Sequence, residues 1–133
     1  EIITNLLIGD LDDAENANKY DIDIVINLSE TSLFDETGSI LYFNIPMIDS
    51  NDFPIYKYFD YIESIVRTGL DKRKKILINC RMGLSRSVIS YAMLLLRFIP
   101  NLTAQQALMM IKNKKDIDPN KGFIKQLIKY GHG

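Results

Sequence analysis

From Ile76 to Phe98 the chain reads ILINCRMGLSRSVISYAMLLLRF: a short apolar run, a polar loop with a lone cysteine, and a long apolar segment. Ile76-Leu77-Ile78 has the length of a buried strand and is too short for a helix. Arg86 to Phe98 is apolar nearly all round, which predicts a helix lying largely inside the fold and closed by Pro100. The sequence therefore places a tight loop, Cys80 to Ser85, between a buried strand and a buried helix.

The flanking segments repeat this alternation. Upstream, Leu6-Leu7-Ile8 stops at Gly9-Asp10, and Asp12 to Tyr20 reads as a short polar helix. Ile22 to Leu28 is rich in β-branched residues, as a strand covered on both faces requires, and Ile40 to Ile45 repeats that character until Pro46 ends it. Ile55, Phe59, Ile62 and Val66 follow helical spacing, predicting a helix over 55–68 with Gly69 as its stop. Downstream, Thr103 and Gln106 form a capping box for a helix through Lys114, and Asp118-Pro119-Asn120 introduces a last helix carrying Phe123, Leu127 and Ile128. Strands alternating with helices, without repeats or Pro/Gly-rich linkers, predict one α/β domain over residues 1–133.

Composition narrows the function classes. Lys and Arg total 16 against 17 Asp and Glu, a formal charge of −1, and the pI is near 5.8. A phosphate-contacting nucleic-acid binder needs a basic excess, so no nucleic acid is expected as a partner. No apolar run approaches the roughly 18 residues of a membrane span, so no membrane partner is expected either. One cysteine and one histidine, His132, build neither a disulfide nor a Cys/His zinc site, and no metal or other cofactor is expected. The lone thiol favours an intracellular setting, cytoplasmic with the nucleus also open. His132, in a terminal Gly-His-Gly, is expected to lie in a loose tail.

The loop itself carries chemistry. Successive backbone N–H groups ending at a helix N-terminus form a concave anion site, and Gly83 permits the turn. Phosphate is the natural occupant of a cradle formed by Arg81, Met82, Gly83, Leu84, Ser85 and Arg86. The Arg86 guanidinium offers a planar fork to two phosphate oxygens, and the same field stabilises the Cys80 thiolate over the thiol. Ser87 can donate its hydroxyl to the sulfur and so help a thiolate depart from a phosphorylated cysteine. An ordinary buried cysteine beside a capping serine is the bland alternative. Given the cysteine, chance placement of Gly three, Arg six and Ser seven residues later is on the order of 1 in 10,000, which favours the chemical reading.

With these residues in view, the sequence resembles the cysteine-dependent protein tyrosine phosphatase superfamily, and within it the compact dual-specificity phosphatases. Besides Cys80 to Ser87, the resemblance takes in Leu7-Ile8-Gly9, Val25-Ile26-Asn27-Leu28-Ser29, Asn44-Ile45-Pro46 and Pro119-Asn120-Lys121-Gly122-Phe123. It implies a mixed, mostly parallel sheet of about four to five strands flanked by helices, with the phosphate loop between the last strand and a buried helix. It also implies a metal-independent enzyme that hydrolyses phosphotyrosine and phosphoserine or phosphothreonine in proteins through a cysteinyl phosphate on Cys80. An aspartate on a separate loop protonates the leaving oxygen in this family. Asp49 takes that place by similarity, and local physics does not separate it from Asp52 in the same polar loop. Asn79, which supports the loop, stands where the family usually has histidine. It can still donate a hydrogen bond but carries no charge, so a less favoured thiolate and slower turnover are expected.

Two rival functions share the residues. One is a weakly active or inactive pseudophosphatase that binds phosphate as a scaffold, motivated by Asn79. The other is a phosphatase acting on RNA 5′ ends or phosphoinositides, because the loop recognises phosphate rather than its carrier. Of the remaining features, the run Asp71-Lys72-Arg73-Lys74-Lys75 reads as a solvated turn or as a docking patch for acidic partners.

Overall fold

A computed structural model describes residues 2–35 and 37–133. The four β-branched and apolar runs form strands β1 (Leu6–Gly9), β2 (Ile24–Asn27), β3 (Leu41–Asn44) and β4 (Ile76–Asn79). They make one sheet in the order β1-β4-β2-β3, and every strand pair is parallel. Among the described residues the antiparallel element of the expected mixed sheet is an isolated bridge between Ile3 and Leu6.

Parallel strands need crossovers, and the crossovers supply the covering layers. Ile24, Ile26, Ile76 and Ile78 point to one face, where they pack with α2 (Phe59–Asp71), α3 (Arg86–Phe98) and α5 (Lys121–Tyr130) in the main core. The alternate residues Val25 and Leu77 face the other side and meet Ala14, Ala17, Ile22 and Ile40, beneath the short helix α1 (Leu11–Glu15). As its composition predicts, α3 is buried on nearly every side. The phenol of Tyr91 on α3 donates to the Leu6 carbonyl (2.7 Å) and accepts from Ile3 N–H (2.9 Å), tying β1 to the central helix.

Three expected boundaries move, each for a local reason. The polar helix over 12–20 is two pieces: α1 ends at Glu15 with Asn16 as its C-cap, and a 3₁₀ turn, Ala17–Tyr20, follows and is closed by Asp21 in the left-handed region. The helix expected from Ile55 starts as a 3₁₀ turn, Ile55–Tyr58, before α2 proper. Gly69 does not stop α2, which runs on to Asp71. A Cβ there would lie 2.7 Å from Ile76 Cδ1 and 3.0 Å from Ile24 Cδ1, so the glycine lets the helix settle onto the sheet. Downstream, the Thr103–Gln106 capping box opens α4 (Ala104–Lys112), and the Asn120 side chain caps α5. His132 is not loose: its Nε2 lies 2.7 Å from the Leu102 carbonyl oxygen.

Candidate active site

The loop from Cys80 to Ser85 sits at the C-terminal end of β4, where open α/β sheets place their ligands. Its shape is fixed from outside. The Arg81 carbonyl accepts from Leu11 N–H (3.1 Å), the Leu84 carbonyl from Asp118 N–H (2.8 Å), and the Gly83 carbonyl from the Lys115 ammonium. A trans peptide unit points its C=O and N–H in opposite directions, so outward carbonyls at 81, 83 and 84 turn the amides of Met82, Leu84 and Ser85 inward. Gly83 adopts φ +71°, and a Cβ there would sit 3.0 Å from the Gly9 carbonyl oxygen, so this turn needs glycine both conformationally and sterically. The side chains of Arg81 and Met82 are exposed and leave the cradle to the backbone.

Cys80 lies on the floor, 1% exposed, with its Sγ 3.2 Å from Ser87 Oγ. Burial opposes the thiolate. The Ser87 hydroxyl, the backbone amides of Ser87 and Ser85 and the Arg86 charge together outweigh it, and the thiol pKa falls below its ordinary value. Arg86 is 6% exposed. Its Nη1 donates to the Met47 carbonyl (2.8 Å) and lies 3.8 Å from the exposed Glu30 carboxylate, while its buried Nε has no protein partner. A buried guanidinium N–H without an acceptor is costly, and an anion oxygen in the loop would satisfy it.

Asp49 is brought to this loop and Asp52 is not. Asp49 Oδ1 accepts from Ser85 Oγ (2.8 Å) and from Asn120 Nδ2 (2.7 Å), and Asn120 N–H in turn donates to Ser85 Oγ (3.1 Å). Asn120 is the partner that reading the sequence missed as a site residue. Its signals were its place in the Pro119–Phe123 segment of the resemblance and at the opening of the last helix: the same side chain holds Phe123 N–H (2.8 Å), so α5 fixes the group that fixes Asp49. The bed is tight. Gly122 N–H donates to Asn51 Oδ1, and a Cβ on Gly122 would fall 2.0 Å from the Asn51 carbonyl oxygen. Gly122→Ala should therefore push the 49–51 loop off α5 at a cost of about 1–3 kcal/mol, lowering the melting temperature by roughly 4–11 °C. Calorimetry checks the first effect, and slowed turnover of unactivated phosphate esters the displacement of Asp49.

Asn79 is fully buried and belongs to a ladder. Asn79, Asn27 and Asn44 end three adjacent strands in register, and Asn27 is the hub. Asn27 Oδ1 accepts from Asn79 Nδ2 (3.0 Å) and Ser29 Oγ (2.7 Å), and its Nδ2 donates to Asn44 Oδ1 (2.8 Å). The amide nitrogen of Asn79 is thus engaged by the neighbouring strand, and its Oδ1 has no protein partner.

Set against known proteins, residues 9–132 match the dual specificity phosphatase catalytic domain. The chain belongs to the dual-specificity phosphatase family. A putative tyrosine phosphatase, 123R of invertebrate iridescent virus 6, is 30% identical over 134 residues, covering 98% of this chain and 89% of that protein. The mouse dual specificity protein phosphatase 13B is 28% identical, covering 96% of this chain and 69% of its own length. Among solved structures, DUSP15 superposes with a TM-score of 0.91 at 24% identity over 98% of this chain and 85% of that one. The human tyrosine phosphatase-like serine/threonine/tyrosine-interacting protein superposes at 0.89, with 20% identity over 98% and 93%. At these identities the structural likeness establishes the fold. As a dual-specificity phosphatase the chain is a protein phosphatase, of a family that acts on phosphorylated proteins. No helix among its described residues is long and apolar enough to cross a membrane.

Proposed function

We propose that residues 1–133 form a catalytic domain that hydrolyses phosphotyrosine and phosphoserine or phosphothreonine in proteins through a cysteinyl phosphate on Cys80. The observation that carries this reading is the Arg86 guanidinium, buried with an unpartnered Nε beside a cradle of inward amides that ends on a sulfur with a lowered pKa.

The steps follow from the positions. The cradle amides and Arg86 bind the phosphoryl oxygens and stabilise the charge they gather as the transfer proceeds. The Cys80 thiolate attacks phosphorus, the bond to the substrate oxygen breaks, and that oxygen takes a proton from Asp49. Asp49 Oδ1 is held by Ser85 and Asn120, leaving Oδ2 to carry the proton. In the second half, the Asp49 carboxylate removes a proton from water, which attacks phosphorus while the S–P bond breaks. The departing thiolate receives the Ser87 hydroxyl hydrogen bond. These residues need no metal for either half.

The scaffold reading draws on Asn79, and the geometry limits its force, since the amide is spent on Asn27 and the thiol pKa is lowered without it. A histidine at 79 would add a charged donor next to the nucleophile. Asn79→His should lower the Cys80 pKa further and move the acidic limb of the pH–rate profile to lower pH, each unit being about 1.4 kcal/mol in favour of the thiolate. Alkylation by iodoacetamide against pH reports the same ionisation without turnover. An unchanged alkylation pKa would leave the amides, Ser87 and Arg86 as the groups that set the thiolate.

The substrate class is tested by a panel of phosphopeptides, phosphoinositides and RNA 5′ ends, assayed with wild type and Cys80→Ser. Phosphopeptides are expected to turn over fastest, and faster release of phosphate from RNA or lipid would overturn the protein assignment.

A further inference from the structure

One of the larger cavities among the described residues lies away from the phosphate cradle. It is a groove of about 470 Å³ between α2 and the edge strand β3, in the volume range of small-ligand sites, about 300–1,000 Å³. Its apolar part is Leu41, Phe43 and Ile65, and Leu41 is 56% exposed, although it sits in a strand. Thr68 offers a hydroxyl on the helix wall, and Lys72 and Lys74 stand at one end.

The lysines come from the charged run between α2 and β4, which the catalytic reading does not use. Arg73 between them adopts φ +59°, so the chain turns sharply there, and both neighbours line the groove. No ion pair among the described residues engages Lys72 or Lys74. The nearest acidic lining residue, Asp23, is already committed: its Oδ2 accepts from Lys75 N–H (3.0 Å). An apolar trough that ends in two free ammonium groups complements one chemistry, a bulky apolar side chain followed by carboxylates.

Position adds a second constraint. The groove flanks the N-terminal ends of β2, β3 and β4, whereas Cys80 follows the C-terminal end of β4. A strand of four residues puts about 13 Å between the two ends of the sheet. An occupant of the groove therefore leaves the phosphate cradle free.

We infer that this groove is an exosite for an acidic, apolar segment of a partner protein, held by Leu41, Phe43 and Ile65 with Lys72 and Lys74 pairing its carboxylates. The inference rests on the protein-phosphatase reading only in taking that partner to be a substrate. Binding at the groove is independent of turnover.

The probe is a fluorescein-labelled peptide in which a Leu-Phe pair precedes a run of glutamates. One control replaces the glutamates by lysines, and another the Leu-Phe pair by alanines. Fluorescence anisotropy should show binding of the first peptide alone, and amide shift mapping should place it at Leu41, Phe43, Thr68 and Lys72. Lys72→Glu with Lys74→Glu should weaken it about tenfold or more, and Leu41→Ala, which removes an exposed side chain, should weaken it less. Each variant should keep wild-type kcat/KM on a small aryl phosphate, a readout that reports folding and the catalytic reading separately. Equal binding of the lysine peptide, or shifts centred on residues 80–87, would overturn the exosite. So would dimers in ultracentrifugation that Leu41→Glu abolishes, because the groove would then hold a second copy of the chain.

Discussion

Cys80→Ser is expected to reduce hydrolysis by on the order of 10,000-fold or more while leaving tungstate or vanadate binding in place. The two functions separate because different atoms perform them. An alcohol at position 80 is a far weaker nucleophile than a thiolate, and the groups that lower the Cys80 pKa cannot bring a serine hydroxyl to ionisation near neutral pH. The anion site is backbone, shaped by carbonyl contacts at Arg81, Gly83 and Leu84 that do not involve the sulfur. Arg86→Lys should behave differently and lose both. Lysine has no planar fork for two phosphoryl oxygens, and it also gives up the bond from Nη1 to the Met47 carbonyl, two residues before Asp49. Steady-state turnover and calorimetric titration of the oxyanion test both variants. Near wild-type turnover in Cys80→Ser, or inhibition of the wild type by metal chelators, would remove the covalent mechanism.

These contrasts also show which parts of the molecule a sequence can reveal. The loop's shape was legible because its requirements are local: a cysteine at the strand end, one glycine for a positive φ and one arginine on the next helix, all within seven residues. The strands were legible for the same reason, each lying in a short, mostly apolar run, and the buried helix α3 from its nearly all-round apolar character. Gly69 misled because local rules make glycine a helix stop, while its actual role is a long-range contact with Ile24 and Ile76. Asn120 was hidden likewise. Read locally it is a helix cap, and only the packing of α5 against the 49–51 loop makes it a partner of Asp49. The asparagine ladder needed the register: Asn27, Asn44 and Asn79 are far apart in the chain and become neighbours when three strands end level.

Asp49 and Asp52 were indistinguishable as sequence, and their surroundings now make opposite predictions for them. Asp49 is bonded to Ser85 of the cradle and to Asn120 of α5, which holds its carboxyl at the rim of the phosphate loop, whereas Asp52 has no such bond to either element. Asp49→Asn keeps the size of the side chain and can retain the acceptor oxygen for Ser85 and Asn120, but it has no proton to give. General-acid catalysis is worth roughly 100- to 10,000-fold when the leaving oxygen is basic, as in serine and alkyl phosphates, and little when an activated aryl oxygen departs without help. The expected signature is therefore a steep loss on phosphoserine peptides, a smaller loss on phosphotyrosine and nearly unchanged turnover of an activated aryl phosphate, with Asp52→Asn close to wild type throughout. If Asp52→Asn shows this leaving-group dependence instead, the acid is Asp52, and the loop must reorganise around substrate far enough to exchange the two carboxyls.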